Sequence, residues 1–456
     1  MKNACAPFQG KRIVLLGLGV LGRTVGDAEF LATCGAEVLV TDKKSEEELA
    51  ESVARLKRYK NITFKLGRHD VLDFSEFDMV LKAAGVPLDS PEVAAAQTAG
   101  VPVCMSTALF AKHAAEEGAT VVGVTGTRGK STVAHMIYHA LSRAALRDDS
   151  GRERSIFLGG NVRGVSTLSL LPKVKPLDIA VLELDSWQLQ GFGTLGISPR
   201  IAVFTNLMPD HLDYYGGDMK AYFSDKANIF KHQRASDVLI AENGLLERFS
   251  TTSPGERRAP APLPEHWILR VPGAHNRANA AYAAEALRQL GLSEEEIQSG
   301  LESFEGVEGR LQFVREVGGV KIYNDNNATT PEATIAALKA LTATGGKLPT
   351  AGIVLILGGA DKGLDMSALV AEVNKTCKEV VLLAGSGTDA LLQATGYKLQ
   401  AVTHDPFDSL ERAVTKALEC AEAGDVVLFS PAFASFGMFK HEYDRNDRFL
   451  SLVCSL

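Results

Sequence analysis

At 456 residues, 46% of them hydrophobic, the chain exceeds what a single core serves and is expected to divide into two or three domains. A net charge of −7 with no lysine or arginine run argues against a general nucleic-acid or membrane-surface role, and no apolar run reaches bilayer length. Six cysteines, Cys5, Cys34, Cys104, Cys377, Cys420 and Cys454, stand far apart without CxxC or paired spacing, so they read as reduced thiols and the protein as soluble and cytoplasmic.

The first strand-like run is RIVLLG, ending at Gly17, and GLGVLG, Gly17 to Gly22, turns from it into a helical pattern. Asp42 stands 20 residues beyond Gly22 at the end of the next strand, AEVLVTD. This spacing is a dinucleotide-binding fingerprint. Its physical content is broader: the glycines admit a pyrophosphate and the acid takes a ribose hydroxyl or another polar group, so any nucleotide diphosphate fits. A nicotinamide-dependent dehydrogenase is one reading.

A second block opens near Thr120. GVTGTRGKST, Gly123 to Thr132, follows an apolar strand and precedes a helix, aiming backbone N–H groups at an anion. Lys130 reaches terminal phosphates and Ser131 is placed to ligate magnesium, although the strict P-loop pattern wants a glycine where the chain has Val124. A nicotinamide enzyme leaves this second loop unexplained, whereas an enzyme using both ATP and a uridine diphosphate sugar explains both. The strand candidates DIAVLELD and RIAVFTNL follow. Glu183 ends the first, His211 follows the second, and Lys226 lies in FSDKANIF; singly these read equally well as a capping acid, a loop histidine and a solvated lysine. TTSPGERRAPAPLPEH, residues 251–266, reads as a loop, and the alanine-rich stretch 276–290 as a helix closing the block. From Gly309 onward VKIYND, GIVLILGG, EVVLLAG and DVVLFSP are strands between helix-length segments. The pattern predicts an α/β protein of three domains: a Rossmann-like N-terminal domain, a central P-loop ATPase-like domain with a parallel sheet, and a C-terminal doubly wound Rossmann-like domain.

Taken together, GTRGKST, GGN at 159–161, ELDSWQL, NLMPDHLDYY, SDKANIF, GAHNRANAAYA, Gly309-Arg310, YNDNNATTPEAT, LGGADKG and SPAFASFGMFK resemble the Mur ligases across essentially the whole chain. ELDSWQL and the last three resemble the glutamate-adding branch. The family loop reads GTxGK(S/T), which accommodates Val124. The resemblance implies three domains, 1–117 for a uridine diphosphate sugar, 118–308 for ATP and 309–456 for an amino acid. It also implies ATP-dependent amide formation through an acyl phosphate, in peptidoglycan precursor synthesis. Lys130, Glu183, His211 and Lys226 are then the catalytic set. Gly126, Thr127, Arg128, Gly129, Lys130, Ser131, Thr132, Asn276, Asn279, Arg310 and Asp325 are the ATP contacts. Two magnesium ions are implied, one on Ser131 (or Thr132) with Glu183, the other on His211 with a carbamylated Lys226, because an ammonium cannot ligate a cation.

On the substrate side the resemblance implies Val20, Leu21, Asp42, Lys43 and Gly85 for the uridine diphosphate portion, and Asn161 and His211 toward the sugar and peptide. Thr329, Lys362, Ser435 and Phe436 are implied for the glutamate carboxylates. Family members commonly carry DSKATN where this chain has DNNATT, Asp325 to Thr330, and Glu442 stands where an aromatic is commoner, its charge expected to repel beside such a pocket. D-Glutamate is the first choice, with L-glutamate or another amino acid open. Rival readings are a folylpolyglutamate-synthetase-like ligase and a nucleotide-gated binding protein without turnover. A monomer acting on small molecules, without nucleic-acid or membrane partners, is expected.

Overall fold

The apolar runs between glycine turns become strands covered on both faces, as the near-continuous hydrophobicity of parallel strands requires. The structure, a computed structural model, describes residues 4–456 except 20–21, 68–72, 212–213, 250–254, 343–351, 394–398 and 401–404. It divides into two compact units, Met1–Pro262 with Asn279–Leu301, and Leu263–Ala278 with Glu302–Leu456.

The first unit holds two sheets. In one, β1 (Arg12–Leu16), β2 (Glu37–Asp42), β3 (Ile62–Leu66), β4 (Met79–Lys82) and β5 (Val103–Cys104) lie in the order β3-β2-β1-β4-β5, all parallel. The order reverses between β1 and β4, which opens a crevice at their carboxyl ends. In the other, β6 (Thr120–Thr125), β7 (Ile156–Gly160), β8 (Ile179–Glu183), β9 (Ile201–Phe204), β10 (Val238–Ala241) and β11 (Glu256–Arg258) run in the order β11-β10-β9-β6-β8-β7, also parallel. One continuous core, from Phe8 and Ile13 through Phe110 to Leu182 and Phe204, serves both sheets.

The second unit carries β12 (Gln312–Val317), β13 (Val320–Asn324), β14 (Ile353–Gly358), β15 (Cys377–Leu383) and β16 (Val426–Phe429) in the order β12-β13-β16-β14-β15. Apolar layers cover both of its faces, one built around Leu355 and Leu428, the other around Ile356 and Phe449. The four expected strands are all present. The sheet is mixed, however, because β12 pairs antiparallel with β13 across Gly318 and Gly319. QFVREV is half-exposed along its length and lacks the apolar run that betrays its neighbours.

Two further expectations need correction. Residues 256–258, read as loop, form the exposed edge strand β11 against β10; residues 251–254 lie outside the described set. Cys5 and Cys34, read as reduced thiols, are joined as a disulfide with their Cα atoms 4.8 Å apart. A sequence separation of 29 residues hides the proximity, which arises because the helix Arg23–Thr33 returns its C-terminal end to the N-terminal turn, where Gly10 N donates to Gly35 O at 3.1 Å. Cys104, Cys377, Cys420 and Cys454 are free. No helix among the described residues is long and apolar enough to cross a membrane.

Candidate active site

The phosphate loop leaves the carboxyl end of β6. Val124 is interior to that strand, paired in register with Glu183, so a glycine has no task there. Gly126 has φ 139°, and a Cβ on it would press on Thr205 Oγ1 and the Asn206 backbone. Segment 205–208 braces the loop: Arg128 N donates to Asn206 Oδ1 at 2.8 Å, Thr127 N to Asn206 O at 3.0 Å, and Met208 N to Thr127 Oγ1 at 2.9 Å. The helix Lys130–Ala144 then starts from Gly129 with no side-chain cap, leaving its first N–H groups for an anion. Asn279 lies against Gly129. Lys130 Nζ donates to Thr127 O at 3.1 Å.

Ser131 Oγ donates to Glu183 Oε1 at 2.9 Å, both residues buried, while Thr132 is half-buried. A hydroxyl and a carboxylate are hard oxygen donors. Among the described residues no group of three or more His, Cys, Asp or Glu side chains converges on a metal position. One or two protein oxygens with the remaining positions left to water and phosphate is what magnesium takes, so this pair fits that ion.

Lys226 sits on the helix Met219–Ala227, whose Asp218 cap accepts from Lys220 N at 2.7 Å. It is 1% exposed. Its Nζ donates to Gly126 O at 2.8 Å and stands 4.9 Å from the Tyr222 ring centroid. Burial and then the charge of Lys130 bring its amine down to about 7. His211, at φ 53°, packs its ring 4.8 Å from that of Trp187. Burial lowers its pKa, Asp210 opposes this, and Lys130 and Lys226 lower it further. The expected catalytic side chains thus gather around one loop. Lys226 as an ammonium fits no cation.

The other glycine loop borders a cavity of about 480 Å³, lined among others by Arg23, Asp42, Lys43, Lys82, Gly85 and Gln188. Asp42 shapes the loop itself: Oδ2 accepts from Leu18 N at 2.8 Å and Gly19 N at 3.0 Å, and Oδ1 from Lys44 N at 2.9 Å. Val20 and Leu21 lie outside the described residues. Sequence reasoning missed Lys82 and Arg23. Lys82 is buried, donates to Val86 O at 2.9 Å, and is lowered to about 8 by burial. Arg23 Nη1 donates to Asn161 Oδ1 at 2.6 Å. A charged residue inside an apolar strand end was the available signal for Lys82.

In the second unit Lys362 Nζ donates to Thr329 Oγ1 at 3.0 Å. Ser435 is buried and Phe436 is 64% exposed. Asp325 is buried, accepts from Leu311 N at 2.9 Å and Ser430 Oγ at 2.8 Å, and is raised to about 7 by burial despite the opposing charge of exposed Arg310. Asn276 Nδ2 donates to Pro272 O at 2.7 Å. Asn327, where the family lysine is absent, donates to Glu308 O at 3.3 Å. Burial lowers the pKa of Arg445, a fully buried arginine that sequence reasoning missed, and the charge of Glu442 opposes that shift.

A parallel sheet carrying a GTxGKS loop with a serine–glutamate pair, a glycine-loop sheet before it and a mixed sheet after it define the Mur ligase class. Residues 11–105 match the Mur ligase MurD-like N-terminal domain, 124–250 the Mur ligase middle domain, and 309–433 the Mur ligase glutamate ligase domain. The chain is 35% identical to a UDP-N-acetylmuramoylalanine--D-glutamate ligase of Roseiflexus sp. (strain RS-1), covering 97% of this chain and 98% of the relative. It is 34% identical to the enzyme of that name from Anaeromyxobacter dehalogenans (strain 2CP-C), covering 99% of each. The chain therefore belongs to the Mur ligase family, among its UDP-N-acetylmuramoylalanine--D-glutamate ligases. A crystal structure of MurF ligase from Thermotoga maritima in complex with ADP has the same fold, with a TM-score of 0.59 at 19% identity over 99% of this chain and 98% of that one.

Proposed function

We propose that this protein joins D-glutamate to UDP-N-acetylmuramoyl-L-alanine at the expense of ATP, in peptidoglycan precursor synthesis. The observation that carries this reading is the full-length relationship to enzymes named for that reaction; the site supplies the means. The alanine carboxylate attacks the γ-phosphorus of ATP, giving an acyl phosphate and ADP. The glutamate amine, having lost a proton, then attacks the acyl carbon and inorganic phosphate leaves.

Lys130 and the loop N–H groups stabilise charge on the transferring phosphoryl group. Ser131 and Glu183 would hold one magnesium ion, and His211 with carbamylated Lys226 a second; such ions neutralise phosphate charge and align the reacting oxygens. The low pKa of Lys226 supports the carbamate, since only a neutral amine adds carbon dioxide. Gly126 to Thr132, Asn276, Asn279, Arg310 and Asp325 are assigned to ATP. The cavity beside Gly17 to Gly22, with Asp42, Lys43 and Gly85, is assigned to the uridine diphosphate, and Asn161 to the sugar–peptide portion. Thr329, Lys362, Ser435 and Phe436 are assigned to glutamate, and the Lys362–Thr329 pair offers an acidic ligand a cation with a hydroxyl. Residues 1–117, 118–308 and 309–456 are proposed as the domains for sugar nucleotide, ATP and amino acid.

The test is phosphate release with ATP and UDP-N-acetylmuramoyl-L-alanine against a panel of D- and L-amino acids. Release is expected with D-glutamate and at background with L-glutamate. Preference for L-glutamate overturns the acceptor, and silence with every pair overturns the activity.

A further inference from the structure

We propose that Arg23 is a positioning residue: it fixes the side-chain amide of Asn161 so that its two N–H groups face the substrate and select an acceptor oxygen in the sugar–peptide portion. This rests on the assignment of Asn161 to that portion. A guanidinium carries five donors and no acceptor. With Arg23 Nη1 2.6 Å away, the atom of Asn161 facing it is the amide oxygen, and a flipped amide would set N–H against N–H. The nitrogen Nδ2 therefore points elsewhere, and among the described residues it has no protein partner.

Both ends of Asn161 are held. Its backbone N donates to Glu183 O at 2.7 Å. Gly160 before it, at φ 85°, lies so close over Glu183 that a Cβ would strike the carbonyl oxygen, and its N–H donates to Thr167 Oγ1 at 2.8 Å. Arg23 is fixed in turn. It opens the helix Arg23–Thr33, which is seated on the following loop by Gly26 against the Ser166 side chain and by Ser166 Oγ donating to buried Asp27 at 2.7 Å. Hydrogen bonds therefore run from Ser131 to Glu183, from the Glu183 carbonyl to Asn161, and from Asn161 to Arg23, which lines the sugar-nucleotide cavity. An amide oriented before the ligand arrives loses no rotamer freedom on binding.

The experiment measures kcat and KM for UDP-N-acetylmuramoyl-L-alanine at saturating ATP and D-glutamate, with the unfolding midpoint of each variant. Arg23→Ala and Asn161→Ala should each raise that KM about tenfold, and the double variant should be no worse than either alone, because one contact is lost in all three. Asn161→Asp still accepts from Arg23 but cannot donate, so its KM should match that of Asn161→Ala. Arg23→Lys, also a pure donor, should recover part of the loss and serves if Arg23→Ala folds poorly. The KM for ATP should stay within about twofold of the parent. Multiplying effects in the double variant, or a lower unfolding midpoint for Arg23→Ala with an unchanged KM, would overturn the proposal. An unchanged KM in Asn161→Ala would overturn the underlying assignment of Asn161 instead.

Discussion

Lys226 has surroundings that oppose its ordinary charge. Its ammonium is buried beside a second lysine, and it donates to the Gly126 carbonyl of the phosphate loop at 2.8 Å and to Thr125 Oγ1 at 3.5 Å. A structural lysine in such a place would be better replaced by an apolar side chain, whereas a residue that works as a carbamate needs the amine neutral and near the phosphates. Lys226→Ala should accordingly retain less than about one-hundredth of parental turnover. Short carboxylic acids such as acetate should restore part of it by filling the space with a carboxylate. Activity that survives the substitution and ignores added carboxylate would exclude the carbamate role.

At the scale of elements, the C-terminal helix Glu442–Ser455 buries Phe449 and Val453 in the core and, one turn before Phe449, delivers Arg445. Nε donates to Asn326 Oδ1 at 2.8 Å and Nη2 to Asn326 O at 2.9 Å, while Nη1 reaches Phe433 O at 3.3 Å. One side chain thus ties the DNNATT loop to the segment leading to Ser435. Arg445→Met keeps the bulk but strands those acceptors, at about 1–3 kcal/mol each when buried. The variant should lose on the order of 3–5 kcal/mol in denaturant unfolding and show a raised glutamate KM; a midpoint within error of the parent would contradict this. Nothing in the sequence marks Arg445, because an arginine in a charged terminal helix reads as solvated. The phosphate loop, Glu183 and most strands were legible, since backbone chemistry and apolar runs fix them locally. The hydrogen bonds from Leu18 N and Gly19 N to Asp42 were not legible, because spacing cannot tell whether an acid faces a ligand or its own loop. Cys5–Cys34, Arg23–Asn161 and the antiparallel β12 depend on tertiary return of the chain, which leaves no local pattern.

At the scale of the whole molecule, the buried contact of Asp27 with Ser166 helps hold the helix after the first glycine loop to the sheet that carries the phosphate loop. Burial raises the Asp27 carboxyl to about 6; hydrogen bonds from Ser166 and Ser106 and the charge of Arg23 oppose the rise without cancelling it. A carboxyl whose folded pKa lies above its unfolded one binds more protons in the native state between the two values, here from about 4 to about 6. Stability from this group is therefore full below the unfolded pKa and falls as pH rises through the folded one, by about 3 kcal/mol over the window at 1.36 kcal/mol per unit. Asp27→Asn removes the titration but keeps an acceptor for the two hydroxyls. Any pH-independent cost of the substitution cancels when two pH values are compared, so the informative quantity is the change in the variant-minus-parent unfolding free energy. Between pH 5 and pH 7.5 it should move in favour of the asparagine variant by on the order of 1–2 kcal/mol. A difference that is flat with pH, or that favours the parent at the higher value, would mean that Asp27 is ionised in the folded protein throughout and that the contact with Ser166 holds the first unit together as a charged one.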